Sequence, residues 1–195
     1  AQRQTRLQDP ARPITIGYMG SGSHVQDAPL VVPALEAALE ADPRVRIHLI
    51  GWVGWEQLGE KMKAHEKRIT CEGWVPINLL PERMSSFDIG LAPLIDCPFN
   101  VCKSSIKALQ YWALGVAPVV SDLAPYEDVE NMVTGIKCPP DPAAWTDAIV
   151  ALVTKEGIRK QFGANGRLAL LEGHDMRNQV YEWLRAFELL LHGRG

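Results

Sequence analysis

Short apolar runs alternate with helical stretches along most of this chain. Residues 14–20 (ITIGYMG) read as a buried strand, and 45–53 (VRIHLIGWV), 69–75 (ITCEGWV) and 87–94 (FDIGLAPL) repeat the pattern. The β-branched pair Val119 and Val120 and the run 135–140 (GIKCPP) supply two more. Between the strands, 30–41, 55–67 and 79–86 are spaced as helices, the second polar enough to face solvent. A further helix precedes Gly115, because Ile106, Leu109, Ala113 and Leu114 fall on one stripe. Strands alternating with helices predict an α/β domain with a doubly wound parallel sheet.

Turn chemistry sharpens the boundaries. Gly115 stands where a left-handed helix cap is usual, and Pro118 follows three residues later. Asp141 is placed to cap a helix over 142–155, with Pro142 at its first position. Helices over 158–171 and 176–192 close the chain. The last carries Val180, Trp183, Leu184, Phe187 and Leu191 on one stripe with Leu190 beside it, a broad apolar face. Residues 1–13 are polar with two prolines and read as a linker or the exit from a preceding domain. Residues 14–195 then form one domain that includes the terminal helices.

Composition narrows the classes. A chain of 195 residues can fill one sizeable core, and 47% hydrophobic with 22% charged residues suits a soluble globular protein. A formal charge of -3 argues against nucleic acid as a partner, and against broad binding to anionic membrane. No apolar run approaches the ~20 residues needed to cross a bilayer. Cys71, Cys97, Cys102 and Cys138 have no paired metal spacing, so they read as reduced thiols in a cytoplasmic protein, with no metal site. A first residue of Ala1 rather than Met suggests an excised piece of something longer, or a processed product.

The candidate chemistry gathers on 98–122, PFNVCKSSIKALQYWALGVAPVVSD. The front of its helix carries Asn100, Lys103, Ser104, Ser105 and Lys107. A helix start offers free N–H groups and partial positive charge, which suits an anion. An ordinary capped helix with solvated lysines would use the same residues. The first strand runs into Gly20, Ser21, Gly22, Ser23 and His24, a turn whose backbone could approach a phosphate. It lacks the G-x-G-x-x-G spacing of a dinucleotide fingerprint, and a plain tight turn is the other reading. Ser-His-Asp order, zinc motif and P-loop are all absent from the sequence.

Taken together, Phe99-Asn100, Lys103-Ser104, Lys107, Leu109, Tyr111, Ala113, Gly115 and Pro118-Val119-Val120 resemble the donor-site segment of retaining, nucleotide-sugar-dependent glycosyltransferases of the GT-B fold, the group 1, family 4-like enzymes. The resemblance implies a Rossmann-like sheet forming the C-terminal half of a GT-B fold. It implies transfer of a sugar from a nucleoside-diphosphate sugar to an acceptor glycan or lipid, as in polysaccharide biosynthesis. The donor is a substrate, and no cofactor or metal is expected. The implied diphosphate site is Gly20, Ser21, Gly22, Ser23, Lys103, Ser104 and Ser105. Trp74, Val75 and Gln110 fall at the base and ribose, and His24, Asn100 and Lys107 near the sugar. The family's helix usually carries two glutamates eight residues apart, and here those positions are Cys102 and Gln110. That departure leaves a degenerate, non-catalytic nucleotide-sugar-binding or scaffolding module as the alternative. No catalytic residue is assigned. The resemblance implies an acceptor-binding N-terminal half outside this sequence, and any peripheral membrane contact is expected only through it.

Overall fold

The computed structural model describes residues 11–51 and 62–192. Six parallel strands form one sheet: β1 (Ile14–Met19), β2 (Val45–Ile50), β3 (Ile69–Glu72), β4 (Ile89–Ala92), β5 (Ala117–Ser121) and β6 (Ile136–Cys138). Their spatial order is β3-β2-β1-β4-β5-β6, so the winding reverses between β1 and β4. Ile16 of β1 pairs with Ile47 of β2 on one side and Ile89 of β4 on the other. β1, β4 and β5 are buried on both faces, which is why they read as continuous apolar runs.

The helices are α1 (Val32–Ala41), α2 (Leu80–Met84), α3 (Pro98–Val101), α4 (Ile106–Ala113), α5 (Pro142–Thr154), α6 (Glu156–Ala169) and α7 (Met176–Leu191). One face of the sheet packs Leu35 and Leu39 of α1 and Trp145 and Ile149 of α5. The other packs Phe87 with Tyr111 and Trp112 of α4. The expected helix over 55–67 falls mostly outside the described residues, and Glu66–Arg68 forms a single tight turn before β3. The expected loop after β4 contains one helical turn, α3. The expected helix over 158–171 ends at Ala169 in a wide π-type turn, Leu170–His174, that redirects the chain into α7.

Local signals at the caps are realised. Gly115 has φ 63°, in the left-handed region, and the Asp141 carboxylate accepts from the Ala143 N–H at 3.0 Å. The apolar face of α7 is present but uncovered, with Trp183 62% and Leu191 81% exposed. At the N-terminal end of the sheet Arg12 is buried, and its guanidinium donates to both oxygens of buried Asp88 at 2.8 and 2.9 Å. Asp88 also accepts from the Thr15 N–H at 2.9 Å.

The position of α4 depends on α6. A Cβ on Gly166 would lie 2.0 Å from the Trp112 ring, and one on Gly163 would lie 2.1 Å from the Gly115 carbonyl oxygen. The two helices cross so closely that only glycine fits. The same edge of Trp112 is fixed by an indole N–H bond to the Thr134 carbonyl, 2.9 Å. Gly166→Ala is therefore expected to destabilise the chain by about 1–3 kcal/mol, the range for overpacking a filled interior. Urea unfolding measures it, and an unchanged midpoint would show that α4 and α6 can separate without loss.

Candidate functional site

Ligands of open α/β sheets bind beyond the strand C-termini where the winding reverses, here between β1 and β4. The loop leaving β1 begins at Gly20, whose N–H still bonds to the Ile50 carbonyl at 3.0 Å. It then closes a tight turn, with His24 N–H on the Ser21 carbonyl at 3.0 Å. The loop leaving β4 is pinned at Leu94, whose N–H and carbonyl both bond to the Ser121 hydroxyl at 2.7 and 2.8 Å. It continues through α3 into the start of α4.

Two adjoining grooves open between these loops. The larger, about 520 Å³, lies between Gly20, Ser21 and Gly51 on one side and Lys107 and Gln110 of α4 on another, with Trp74 and Val75 at its edge. The smaller, about 350 Å³, lies over the start of α4, bounded by Lys103, Ser104 and Tyr126. His24, Ile106 and Lys107 border both. Trp74 is 83% exposed, so a flat aromatic face stands at the rim.

Behind the shared wall lies a cluster of charges. Lys107 is buried and its Nζ donates to His24 Nε2 at 3.0 Å, while sitting 5.0 Å over the Tyr18 ring. His24 Nδ1 lies 2.7 Å from Asp27 Oδ2. Lys103 Nζ approaches the same carboxylate at 3.8 Å and sits 4.9 Å over the Phe99 ring. Its 3.3 Å approach to His24 Nδ1 is a close contact, since the proton on that nitrogen is given to Asp27. Asp27 Oδ1 accepts from the Ile95 N–H at 2.9 Å and from the Asn100 amide at 2.8 Å.

These contacts set the protonation states. Burial lowers the His24 pKa and outweighs the Asp27 bond, with the charges of Lys107 and Lys103 adding to it, so the imidazole is neutral at pH 7. Burial opposes ionisation of Asp27, but the bonds from His24, Ile95 and Asn100 outweigh it and keep the carboxyl below its usual range. Lys107 is brought down to about 7, by burial first and by the charge of Lys103 second, with Asp27 opposing.

Most residues expected at the site converge. Gly20, Ser21, Trp74, Val75, Lys107 and Gln110 border the larger groove, and Lys103 and Ser104 the smaller. Gly22 and Ser23 belong to the same β1 turn, with the Ser23 hydroxyl 3.0 Å from that of Ser21. Ser105 stands at the start of α4, but its hydroxyl donates to Asp128 at 2.8 Å and makes no helix cap. Two expectations need correction. Asn100 is 3% exposed and turned inward, its amide donating to Asp27 and to the Ile95 carbonyl, so it supports the loop rather than meeting a sugar. His24 borders the grooves with both ring nitrogens already engaged, so it anchors Lys107 rather than offering a free hydrogen bond. Asp27 was missed; its signal is the spacing, a carboxylate three residues after a loop histidine. Ile77 and Leu80, which also line the larger groove, were missed because single apolar residues carry no chemical signal.

Residues 13–155 match the family described as glycosyl transferases group 1. The chain belongs to that family. A comparison with curated protein sequences gave no match. Among solved structures, this glycosyltransferase chain is similar to the C-terminal domain of LpcC, a group 1 family protein of Francisella tularensis. They share 19% identity and a TM-score of 0.72, over 88% of this chain and 92% of that domain. It is similar to TarM of S. aureus in complex with fondaparinux, alpha-GlcNAc-glycerol and UDP, at 14% identity and TM-score 0.73, over 91% of this chain and 36% of TarM. HepE of Anabaena, in complex with UDP and glucose, gives 15% identity and TM-score 0.68, over 93% of this chain and 51% of HepE. The glycosyltransferase chain thus spans about a third to a half of those two proteins, and its sheet is that of a C-terminal GT-B domain.

The buried amine gives this site a pH signature. Below about pH 7 Lys107 must carry charge while buried, and an unfolded lysine titrates near 10.4. The unfolded chain therefore binds the extra proton between those values, and stability rises with pH across that window. The rise is expected to be about 1–3 kcal/mol and to be absent in Lys107→Met. Urea unfolding at pH 6.5 and 9.5 tests this, and parallel pH profiles for the two proteins would contradict it.

Proposed function

We propose that this chain is the donor-binding domain of a glycosyltransferase that moves a sugar from a nucleoside-diphosphate sugar to an acceptor glycan or lipid. One observation carries the reading: Lys103 and Lys107 converge from the start of α4 on grooves that open at the reversal point of the sheet, opposite the β1 turn. Cleaving the donor's glycosidic bond leaves negative charge on the diphosphate. Cations and first-turn N–H groups held in place beforehand stabilise that charge as it develops. Ser105 leaves the first-turn N–H groups of α4 without a side-chain cap, and Ile106 and Lys107 of that turn line the same groove as Lys103 and Ser104. The diphosphate lies over this helix start, the base reaches toward Trp74 and Val75, and the ribose meets Gln110. The Gln110 Oε1 is buried with no hydrogen-bond partner among the described residues, so it is ready to accept from a hydroxyl.

The reading needs no metal, because the lysines supply the neutralising charge. Among the described residues no three His, Cys, Asp or Glu side chains converge as a ligand set. The acceptor and its binding groups belong to a separate half, as the chain's share of TarM and HepE suggests. The chain alone is then expected to bind donor without turning it over.

Cys102 and Gln110 support a second reading, a domain that binds the donor without transfer. Sugar transfer by this chain joined to its acceptor-binding half would exclude it.

Titration with UDP and with GDP, followed by NMR, is expected to shift the signals of Lys103, Lys107 and Trp74 with one of the two. Lys103→Ala is expected to weaken that binding about tenfold, the loss of one charge-assisted bond. A wild-type chain that binds neither nucleotide would remove the proposal, and unchanged affinity in Lys103→Ala would remove Lys103 from the site.

A further inference from the structure

We propose that Asp27 is the positioning residue of this groove, aiming Lys107 and Lys103 by fixing the tautomer of His24; this rests on the donor-binding reading above. Asp27 is 1% exposed and borders neither groove, so a ligand there does not touch it. Its carboxylate nevertheless joins four segments: the β1 turn through His24, the β4 loop through Ile95, α3 through Asn100, and the approach to α4 through Lys103.

The chemistry of the chain of contacts is directional. A carboxylate can only accept, so the 2.7 Å contact requires the proton on His24 Nδ1. The neutral ring then presents a lone pair at Nε2, and Lys107 donates to it at 3.0 Å. Lys107 is buried, and its other close neighbour is the face of the Tyr18 ring, so this lone pair is the acceptor that fixes its amine at the wall between the grooves. Lys103 is drawn toward the same oxygen, Asp27 Oδ2, at 3.8 Å. One carboxylate thus holds two amines, Lys107 through the imidazole and Lys103 by an ion pair at 3.8 Å, and both remain at the border of the grooves.

Asp27→Asn separates this role from simple packing. Asparagine has the same shape, and its Oδ1 can keep the bonds from Ile95 and Asn100. Its amide then faces His24 Nδ1 and donates to it. The proton moves to Nε2, where it opposes the N–H groups of Lys107.

Uniformly 15N-labelled chain, wild type and Asp27→Asn, is examined by long-range 1H–15N NMR to read which nitrogen of His24 carries the proton, and each is titrated with UDP, or with GDP if that is the nucleotide bound. Expected are Nδ1–H in the wild type, Nε2–H in Asp27→Asn, and affinity at least tenfold weaker in the variant. In a Lys107→Met background, Asp27→Asn is expected to weaken binding by less than threefold, because the lysine it serves is gone. Nε2–H in the wild type overturns the proposal, and this result needs no variant to fold. Retention of Nδ1–H in Asp27→Asn, or affinity within twofold of wild type, also overturns it. If the wild type binds neither nucleotide, the donor reading falls, while the His24 protons of the two proteins still decide whether Asp27 sets the tautomer.

Discussion

A cation is useful at the wall of a groove only if something holds it there without cancelling it. Direct pairing with a carboxylate would fix Lys107 but neutralise its field, and leaving it unanchored would cost side-chain order each time an anion arrived. The structure interposes an imidazole. Asp27 carries the negative charge, His24 passes on only its orientation, and Lys107 receives a neutral acceptor. Lys103 stands alongside, 3.8 Å from the same carboxylate, so two amines share one buried negative group. Everything else about the site is arranged around keeping these four side chains in register.

The scaffold supplies that register through stiffness. The helix carrying Lys107 is clamped from behind by Gly163 and Gly166 of α6, which allow backbone and the Trp112 ring to approach closely. Its Tyr111 hydroxyl donates to the Leu91 carbonyl in β4 at 2.8 Å. A rotation of α4 large enough to withdraw Lys107 would have to break both contacts. The flexible part of the machinery is therefore confined to the side chains at the helix start and to the loops that face them. This agrees with a general feature of such sheets, in which a rigid core presents variable loops at one end.

The sheet was legible because its signals are local. Continuous apolar runs, a glycine after a helical stripe, and Asp before Pro each act within a few residues. The cap at Gly115 and the Asp141 bond follow directly from them. The candidate site was legible by residue type: lysines, serines and glycines at the right ends of the right elements. What escaped is long-range. Asn100 reaches Asp27 across 73 positions, and no pattern near either residue announces that contact. His24 looked like a free loop histidine because its second partner, Lys107, lies 83 positions away. The terminal helix shows the same limit from the other side. Its apolar period is plain in the sequence, yet Trp183 and Phe187 meet water in the fold, because a stripe encodes the need for cover and not its source.

The buried pair at the opposite end of the sheet bears on where this unit can be cut. β1 begins at Ile14, and a construction engineer trimming to the first strand would start there. Arg12 lies two positions earlier and is the cation that Asp88 holds with both oxygens. A fragment lacking it would leave the buried Asp88 carboxylate without its bidentate guanidinium, with the Thr15 N–H still bonded to it. Any fragment of this sheet therefore needs Arg12 ahead of its first strand, where an ion pair and not a ladder bond secures the end.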